Sequence, residues 1–160
     1  MELICKHFSE LTASELYEIY RLRVSVFVVE QNCAYQDVDE ADRTAWHIWL
    51  QDEGGIAAYA RVLAPGTVFP DVSIGRVTAV RRREGLGRRI VLAAIDAAIS
   101  MMDTDAIVLI AIYPGHAEGE LEGRLVGEKL SKLDRHDYTV ACFRMMNSPT
   151  SPYFYIVEGR

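Results

Sequence analysis

Residues 80 to 89 read Val80-Arg81-Arg82-Arg83-Glu84-Gly85-Leu86-Gly87-Arg88-Arg89, five arginines against one glutamate within a chain whose formal charge is −6. The stretch joins a predicted strand to a predicted helix. Gly85 and Gly87 let a ligand come close to the backbone, and the first helical turn adds unpaired N–H groups and the positive end of its dipole. Such a turn suits a phosphate or pyrophosphate. The competing reading is an ordinary strand-to-helix turn with a solvated basic face. A P-loop would need a Lys-Ser/Thr ending, and a Rossmann turn a third glycine at its spacing; both are missing.

A second group of residues is acidic. Glu30, Asp37, Asp39, Glu40 and Asp42 place five carboxylates within thirteen positions. They would attract a cationic ligand. A solvated loop accounts for the same run equally well. Asp37-x-Asp39 begins like a calcium loop, but Asp42 and Ile48 stand where that loop needs glycine and glutamate. His47, between aromatic residues on a predicted strand, is read either as a hydrogen-bonded core histidine or as an active-site residue.

Other features exclude whole classes. Cys5, Cys33 and Cys142 are scattered and odd in number, so neither a disulfide framework nor a metal-ligand spacing is expected, and a reducing compartment fits. The acidic charge argues against a general nucleic-acid binder. No apolar run is long enough to span a bilayer, and Met1-Glu2-Leu3-Ile4-Cys5-Lys6 lacks the pattern of a signal peptide. The expectation is an unprocessed cytoplasmic protein with no metal and neither nucleic acid nor membrane as partner.

The elements that must position these groups follow in order. Residues 3–8 suggest a short strand. Thr12-x-x-Glu15 is a capping box, with Leu11 and Leu16 as its hydrophobic staple, so a helix is expected from about Ala13, with Leu16, Ile19, Tyr20 and Phe27 at helical spacing. Trp46, Ile48 and Leu50 alternate as in a half-buried strand, and Asp52-Glu53-Gly54-Gly55 turns the chain into the apolar run 56–63. Residues 73–80 predict a strand and 85–102 a helix. Residues 106–113 suit a central strand buried on both faces. A helix over 118–133 and strands over 138–145 and 153–157 complete an α/β domain with a mixed sheet.

Arg82-x-x-Gly85-x-Gly87 matches the R/Q-x-x-G-x-G/A motif of GNAT acetyltransferases. Leu22-Arg23-x-x-Val26-Phe27-Val28-Val29-Glu30-Gln31-x-Cys33-x-Tyr35-x-Asp37-x-Asp39-x-x-Asp42, followed by His47, Tyr59-Ala60-Arg61 and Ile74-Gly75-Arg76-Val77, resembles the ElaA family of GNAT proteins over roughly residues 15 to 110. Two departures stand out. The span between Arg76-Val77 and the Arg82 motif is about two residues short of the family pattern, and beyond Ile110 the resemblance fades.

The resemblance implies a single GNAT-like α/β domain over residues 1–160, with a mixed central β-sheet flanked by helices. It implies acetyl transfer from acetyl-CoA to a primary amine of a small molecule or peptide. Thr78, Ala79 and Val80 would pair with the pantetheine arm, and Arg82, Arg83, Glu84, Gly85, Leu86, Gly87 and Arg88 would cradle the pyrophosphate. Glu30, His47 and Tyr113 are the candidate catalytic residues, with His116 an alternative to Tyr113 as the acid that protonates the thiolate. Two other readings stay open: an acyl-homoserine-lactone synthase, and a catalytically silent CoA-binding or interaction domain. The oligomeric state is left open, a homodimer included.

Overall fold

The computed structural model describes residues 1–80, 84–102, 106–112, 114, 117–148 and 150–160. The chain divides into two compact units, Met1–Ala98 and Ile99–Arg160.

In the first unit, strand β1 (Glu2–His7) leads to helix α1 (Ala13–Arg23). Both halves of the capping box form at its start: the Glu15 N–H donates to the Thr12 hydroxyl at 3.2 Å, and the Thr12 N–H to the Glu15 carboxylate at 2.8 Å. After Arg23 the coil widens, and Val24–Glu30 is a π-helix, closed by the Gln31 N–H on the Val26 carbonyl and the Cys33 N–H on that of Val28. The run Val24, Val26, Val28 and Val29 is rich in β-branched side chains that crowd a regular α-turn. Asn32, at φ 50°, ends the coil in the left-handed conformation that asparagine tolerates.

Strands β2 (Ala45–Asp52), β3 (Gly55–Leu63) and β4 (Ser73–Ala79) join β1 in an antiparallel sheet of order β1-β2-β3-β4. The β2–β3 register pairs His47 with Arg61 and Trp49 with Tyr59, so these four side chains share one face. Ile19 of α1 packs there against Trp49 and Tyr59. Ile48, Leu50, Ala58, Ala60 and Val62, on the other face, are equally buried. The half-burial expected of β2 is therefore replaced by burial on both faces, because the residues between its apolar positions face α1.

The β3–β4 register shifts once. Tyr59 pairs with Thr78 and Arg61 with Gly75, so Arg76 and Val77 together oppose the single residue Ala60. This is a β-bulge in β4, and Arg76 takes the left-handed conformation there, at φ 54°. Helix α2 (Leu86–Ser100) follows, its first turn closed by the Arg89 N–H on the Gly85 carbonyl at 3.2 Å. Ile90, Ala94, Ile95 and Ala98 are buried along it.

The second unit holds strand β5 (Ile107–Ile112), helix α3 (Ala117–Leu130) and strands β6 (Tyr138–Phe143) and β7 (Tyr153–Gly159). Its sheet has the order β5-β7-β6, antiparallel throughout. On α3, a side chain at Gly123 would run into Tyr153 and Ile112, and one at Gly127 into Tyr155. The Tyr155 hydroxyl donates to the Gly123 carbonyl at 3.2 Å.

The elements follow in the expected order, and two details of their arrangement differ. The described pairings form two antiparallel sheets, and β5 is a sheet edge with Ile107 and Leu109 exposed, not a strand buried on both faces. Continuous hydrophobicity gives a strand's length and leaves open which of its faces is covered. Among the described residues no helix is long and apolar enough to cross a membrane.

Candidate active site

The last strand of the first sheet and the start of α2 carry most of the residues expected to bind the donor. The Val80 N–H donates to the Ala57 carbonyl at 2.9 Å, which extends the β3–β4 ladder one residue past β4. With Thr78 opposite Tyr59 and Ala79 opposite Ala58, the alternation of an antiparallel ladder points the Ala79 N–H and carbonyl away from β3. Thr78 is buried, Ala79 half-buried and Val80 half exposed.

Beyond the strand, Glu84, Gly85 and Arg88 are exposed and Gly87 half-buried, whereas Leu86 is buried, so its side chain pins the first turn of α2 to the core. Gly85 stands at φ 70°, and a Cβ there would have no atom of the described residues within 4 Å. The position needs glycine for its backbone conformation, and among the described residues the space beside it is open. Arg82 and Arg83 lie outside the described residues.

Of the five carboxylates in the acidic stretch, Glu30 and Glu40 are exposed and the three aspartates are taken up within the protein. Asp37, Asp39 and Asp42 form a closed ring with Arg23, Arg61 and Arg76. Arg23, fully buried, donates from Nε to Asp37 at 2.9 Å and from its NH1 nitrogen to Asp42 at 2.6 Å. Arg61 donates to the same Asp42 oxygen at 2.8 Å and to Asp39 at 2.7 Å. Arg76 closes the ring, its Nε 2.7 Å from Asp37 and its NH2 nitrogen 3.6 Å from Asp39. The Tyr20 and Tyr59 rings lie 5.4 and 5.9 Å from the Arg23 guanidinium, and the Tyr35 ring 5.7 Å from that of Arg76.

Three positive and three negative groups thus balance one another in a largely buried cluster. Charges taken this far out of water persist only when each is paired and hydrogen-bonded. Burial alone would raise the Asp42 pKa, but the bonds from Arg23 and Arg61 outweigh it and hold that carboxyl below its usual range.

His47 is fully buried beside this ring. Its Nε2 lies 3.2 Å from the Asp42 backbone oxygen and its Nδ1 2.7 Å from the Tyr59 hydroxyl. A carbonyl can only accept, so Nε2 carries the proton and Nδ1 accepts from Tyr59. Burial pushes the His47 pKa below its ordinary value, against the pull of the Asp42 carbonyl, and drives that of Tyr59 well upward. With both nitrogens engaged inside the protein, the histidine holds Asp42 and Tyr59 in place and presents no nitrogen to solvent.

Glu30, last residue of the π-helix, is exposed. Tyr113 and His116 lie outside the described residues. The structure therefore gathers Thr78, Ala79, Val80, Glu84, Gly85, Leu86, Gly87 and Arg88 along one strand end and helix start, and puts His47 in the core. Sequence reasoning missed the ring. Its signal was three arginines in otherwise apolar or structural contexts, Arg23, Arg61 and Arg76, matching three aspartates in number.

A search of known proteins places this geometry. Protein ElaA of Escherichia coli K12 is 43% identical over 96 residues, 56% of this chain and 61% of that protein. The crystal structure of an acyl-CoA N-acyltransferase from Pseudomonas aeruginosa matches 98% of the chain, and 99% of its own, with TM-score 0.64 and 28% identity. That of E. coli ElaA matches 98%, and 97% of its own, with TM-score 0.64 and 27% identity. The chain is similar in sequence to ElaA and has a GNAT-like fold. It spans 60% to 65% of the length of the first curated relatives it matches. A family model described as putative rRNA methylase matches residues 88–158, under half of the chain. Most of α2 and nearly the whole second unit fall within this last match. That match begins before Ile110, where the ElaA resemblance fades.

Proposed function

We propose that this ElaA-like chain, read as one acyltransferase domain over residues 1–160 and working in the cytoplasm, transfers an acetyl group from acetyl-CoA to a primary amine of a small molecule or peptide. The observation that carries the reading is the outward Ala79 backbone, which leads within a few residues to the open Gly85 turn and the start of α2, in a chain with the fold of an acyl-CoA N-acyltransferase. The pantetheine arm, with its own amides, pairs along Thr78, Ala79 and Val80 like an added strand. The pyrophosphate sits against the backbone of residues 84–88, with Arg82 and Arg83 adding charge.

An N–H of the strand edge polarises the thioester carbonyl and stabilises the oxyanion formed on attack. The amine must first lose a proton, and exposed Glu30 is the carboxylate assigned to take it, directly or through water. The new C–N bond forms at the acetyl carbon, the C–S bond breaks, and CoA leaves as a thiolate that is then protonated. His47 acts on this chemistry through Asp42 and Tyr59, not on the substrate.

The test is release of CoA from acetyl-CoA across a panel of amines, polyamines and peptides. It is read by mass, because Cys5, Cys33 and Cys142 are exposed and would react with thiol probes. Acetylated amine with equal CoA supports the reading; no turnover with any acceptor counts against it. A second reading, a catalytically silent CoA-binding or interaction domain, is kept because residues 88–158 match a family model that is not an acyltransferase's. It predicts acetyl-CoA binding without turnover.

A further inference from the structure

We infer that Asp37 is a positioning residue: through Arg76 it holds the β4 bulge, and with it the outward backbone of Ala79, in the arrangement that acyl transfer uses. The catalytic consequence rests on the acyl-transfer reading above; the structural one does not. Arg76 is a non-glycine residue at φ 54°, a conformation that costs side-chain-bearing residues free energy and persists where the surroundings enforce it. The enforcement is visible. One Asp37 carboxylate oxygen lies 2.7 Å from Arg76 Nε and accepts from the Tyr35 hydroxyl at 2.9 Å; the other accepts from buried Arg23 at 2.9 Å. The Asp37 backbone carbonyl accepts from Arg23 at 2.8 Å and from Arg76 at 3.4 Å.

A single residue thus ties the end of α1 to the bulge. Arg76 lies only two residues before Thr78, and the inserted residue sets which backbone groups of the following strand face outward, since a one-residue change of register reverses every later N–H and carbonyl. If Arg76 were released, the bulge could move or relax, and the Ala79 N–H would leave its place. Substrate affinity held by the Gly85 turn would remain.

The experiment compares wild type, Asp37→Asn, Arg76→Ala, Arg76→Gly and the double variant Asp37→Asn with Arg76→Gly. It reads the backbone amide signals of residues 77 to 80 by NMR, free CoA affinity, and kcat for acetyl transfer. Glycine accepts positive φ without restraint, so it replaces the clamp with an unstrained bulge. Expected are displaced amide signals for Thr78 and Ala79 in Asp37→Asn and Arg76→Ala, with signals of β1 unchanged. In these variants kcat falls roughly tenfold to hundredfold, as a misplaced reacting group dictates, while free CoA affinity stays within about a factor of three, the split expected when only transition-state contacts are lost.

Arg76→Gly, alone or combined with Asp37→Asn, should restore much of the lost kcat. A residue that merely stabilises the fold would lower the melting temperature without this split or this rescue. Should Asp37→Asn not fold, the alanine and glycine variants at half-exposed Arg76 decide the matter alone. Unmoved amides at residues 77 to 80 overturn the clamp, and so does equal loss of kcat in Arg76→Ala and Arg76→Gly. Moved amides with unchanged kcat in an active protein overturn the positioning role. A wild type that turns over no acyl-CoA overturns the acyl-transfer reading and its catalytic consequence, and the amides still decide the clamp.

Discussion

His47 and Asp42 are joined through the backbone: the histidine Nε2 donates to the Asp42 carbonyl at 3.2 Å, while the Asp42 carboxylate accepts from Arg23 and Arg61. The imidazole must stay neutral, and the carboxylate must stay charged, for both sets of bonds to hold. Acid threatens the two at different pH.

The His47 pKa is lowered by burial, so its contribution to stability is complete above the unfolded value of about 6.5 and is lost as pH falls below it, levelling once the folded pKa is passed. The Asp42 pKa is also lowered, so its contribution is complete above about 3.9 and goes as pH falls towards the folded value. Acid unfolding should therefore show a loss beginning below about pH 6.5 that His47→Gln removes, and a steeper one near pH 4 and below that it does not. Thermal melts from pH 8 to 3 check this. An unchanged slope between pH 7 and 5 in the variant would contradict the assignment.

The ring should be costly to break. Asp42→Ala leaves two buried guanidinium groups short of a partner and is expected to cost about 3–5 kcal/mol. Glu40→Ala, which breaks only the exposed pair with Arg43, should leave the midpoint unchanged within error. Urea titration of both variants measures the difference.

How much of this was legible in the sequence depended on how local its cause was. Thr12 and Glu15 cap α1 as their spacing predicts, and the strands and helices fall within a few residues of where periodicity puts them. The π-helix over Val24–Glu30 and the bulge at Arg76 were not legible. Each is a change of register by one residue, and apolar patterns read the same on either side of it. Nor was the ring, because Arg23, Asp42, Arg61 and Arg76 meet only when α1, the 37–42 stretch, β3 and β4 have come together. The basic-glycine turn was recognised from its residues, and of its arginines the structure describes Arg88 and Arg89.

Acetyl-CoA should raise the melting temperature. A ligand binding only the folded state at about 100 times its dissociation constant adds about 2.7 kcal/mol, roughly 5–10 °C for a chain of this length. Calorimetry with acetyl-CoA, free CoA and dephospho-CoA reads the shift. No shift at millimolar acetyl-CoA would remove the donor site.

At Gly85, φ 70° would strain any side-chain-bearing residue, and among the described residues the space beside it is open, which makes a sharp test. Gly85→Val should weaken CoA binding more than Arg89→Ala, which removes an exposed charge whose NH1 nitrogen meets the Met1 sulfur. Titration calorimetry on variants first shown to be folded compares them, and equal affinities would mean that residues 82–88 are not the pyrophosphate cradle.

The glycine face of α3 is tightly packed against the tyrosines of β7. In Gly127→Ala the new methyl meets the Tyr155 ring, which should cost about 1–3 kcal/mol by overpacking. Gly127→Ala combined with Tyr155→Leu, which clears the space, should cost less than the two single changes added together. Additive losses in urea melts would contradict the contact.

In the second sheet, β5 and β6 are never bonded to each other; both are bonded to β7, which is translated after them. On the ribosome, then, no ladder of this sheet can close until residues 153–159 have left the exit tunnel. Until that moment Leu109 and Phe143 belong to strands with unsatisfied edges, the condition under which nascent chains stick to one another or are bound by chaperones. A synonymous change that slows the ribosome ahead of codon 153 would lengthen that interval and lower the soluble yield without altering a single residue.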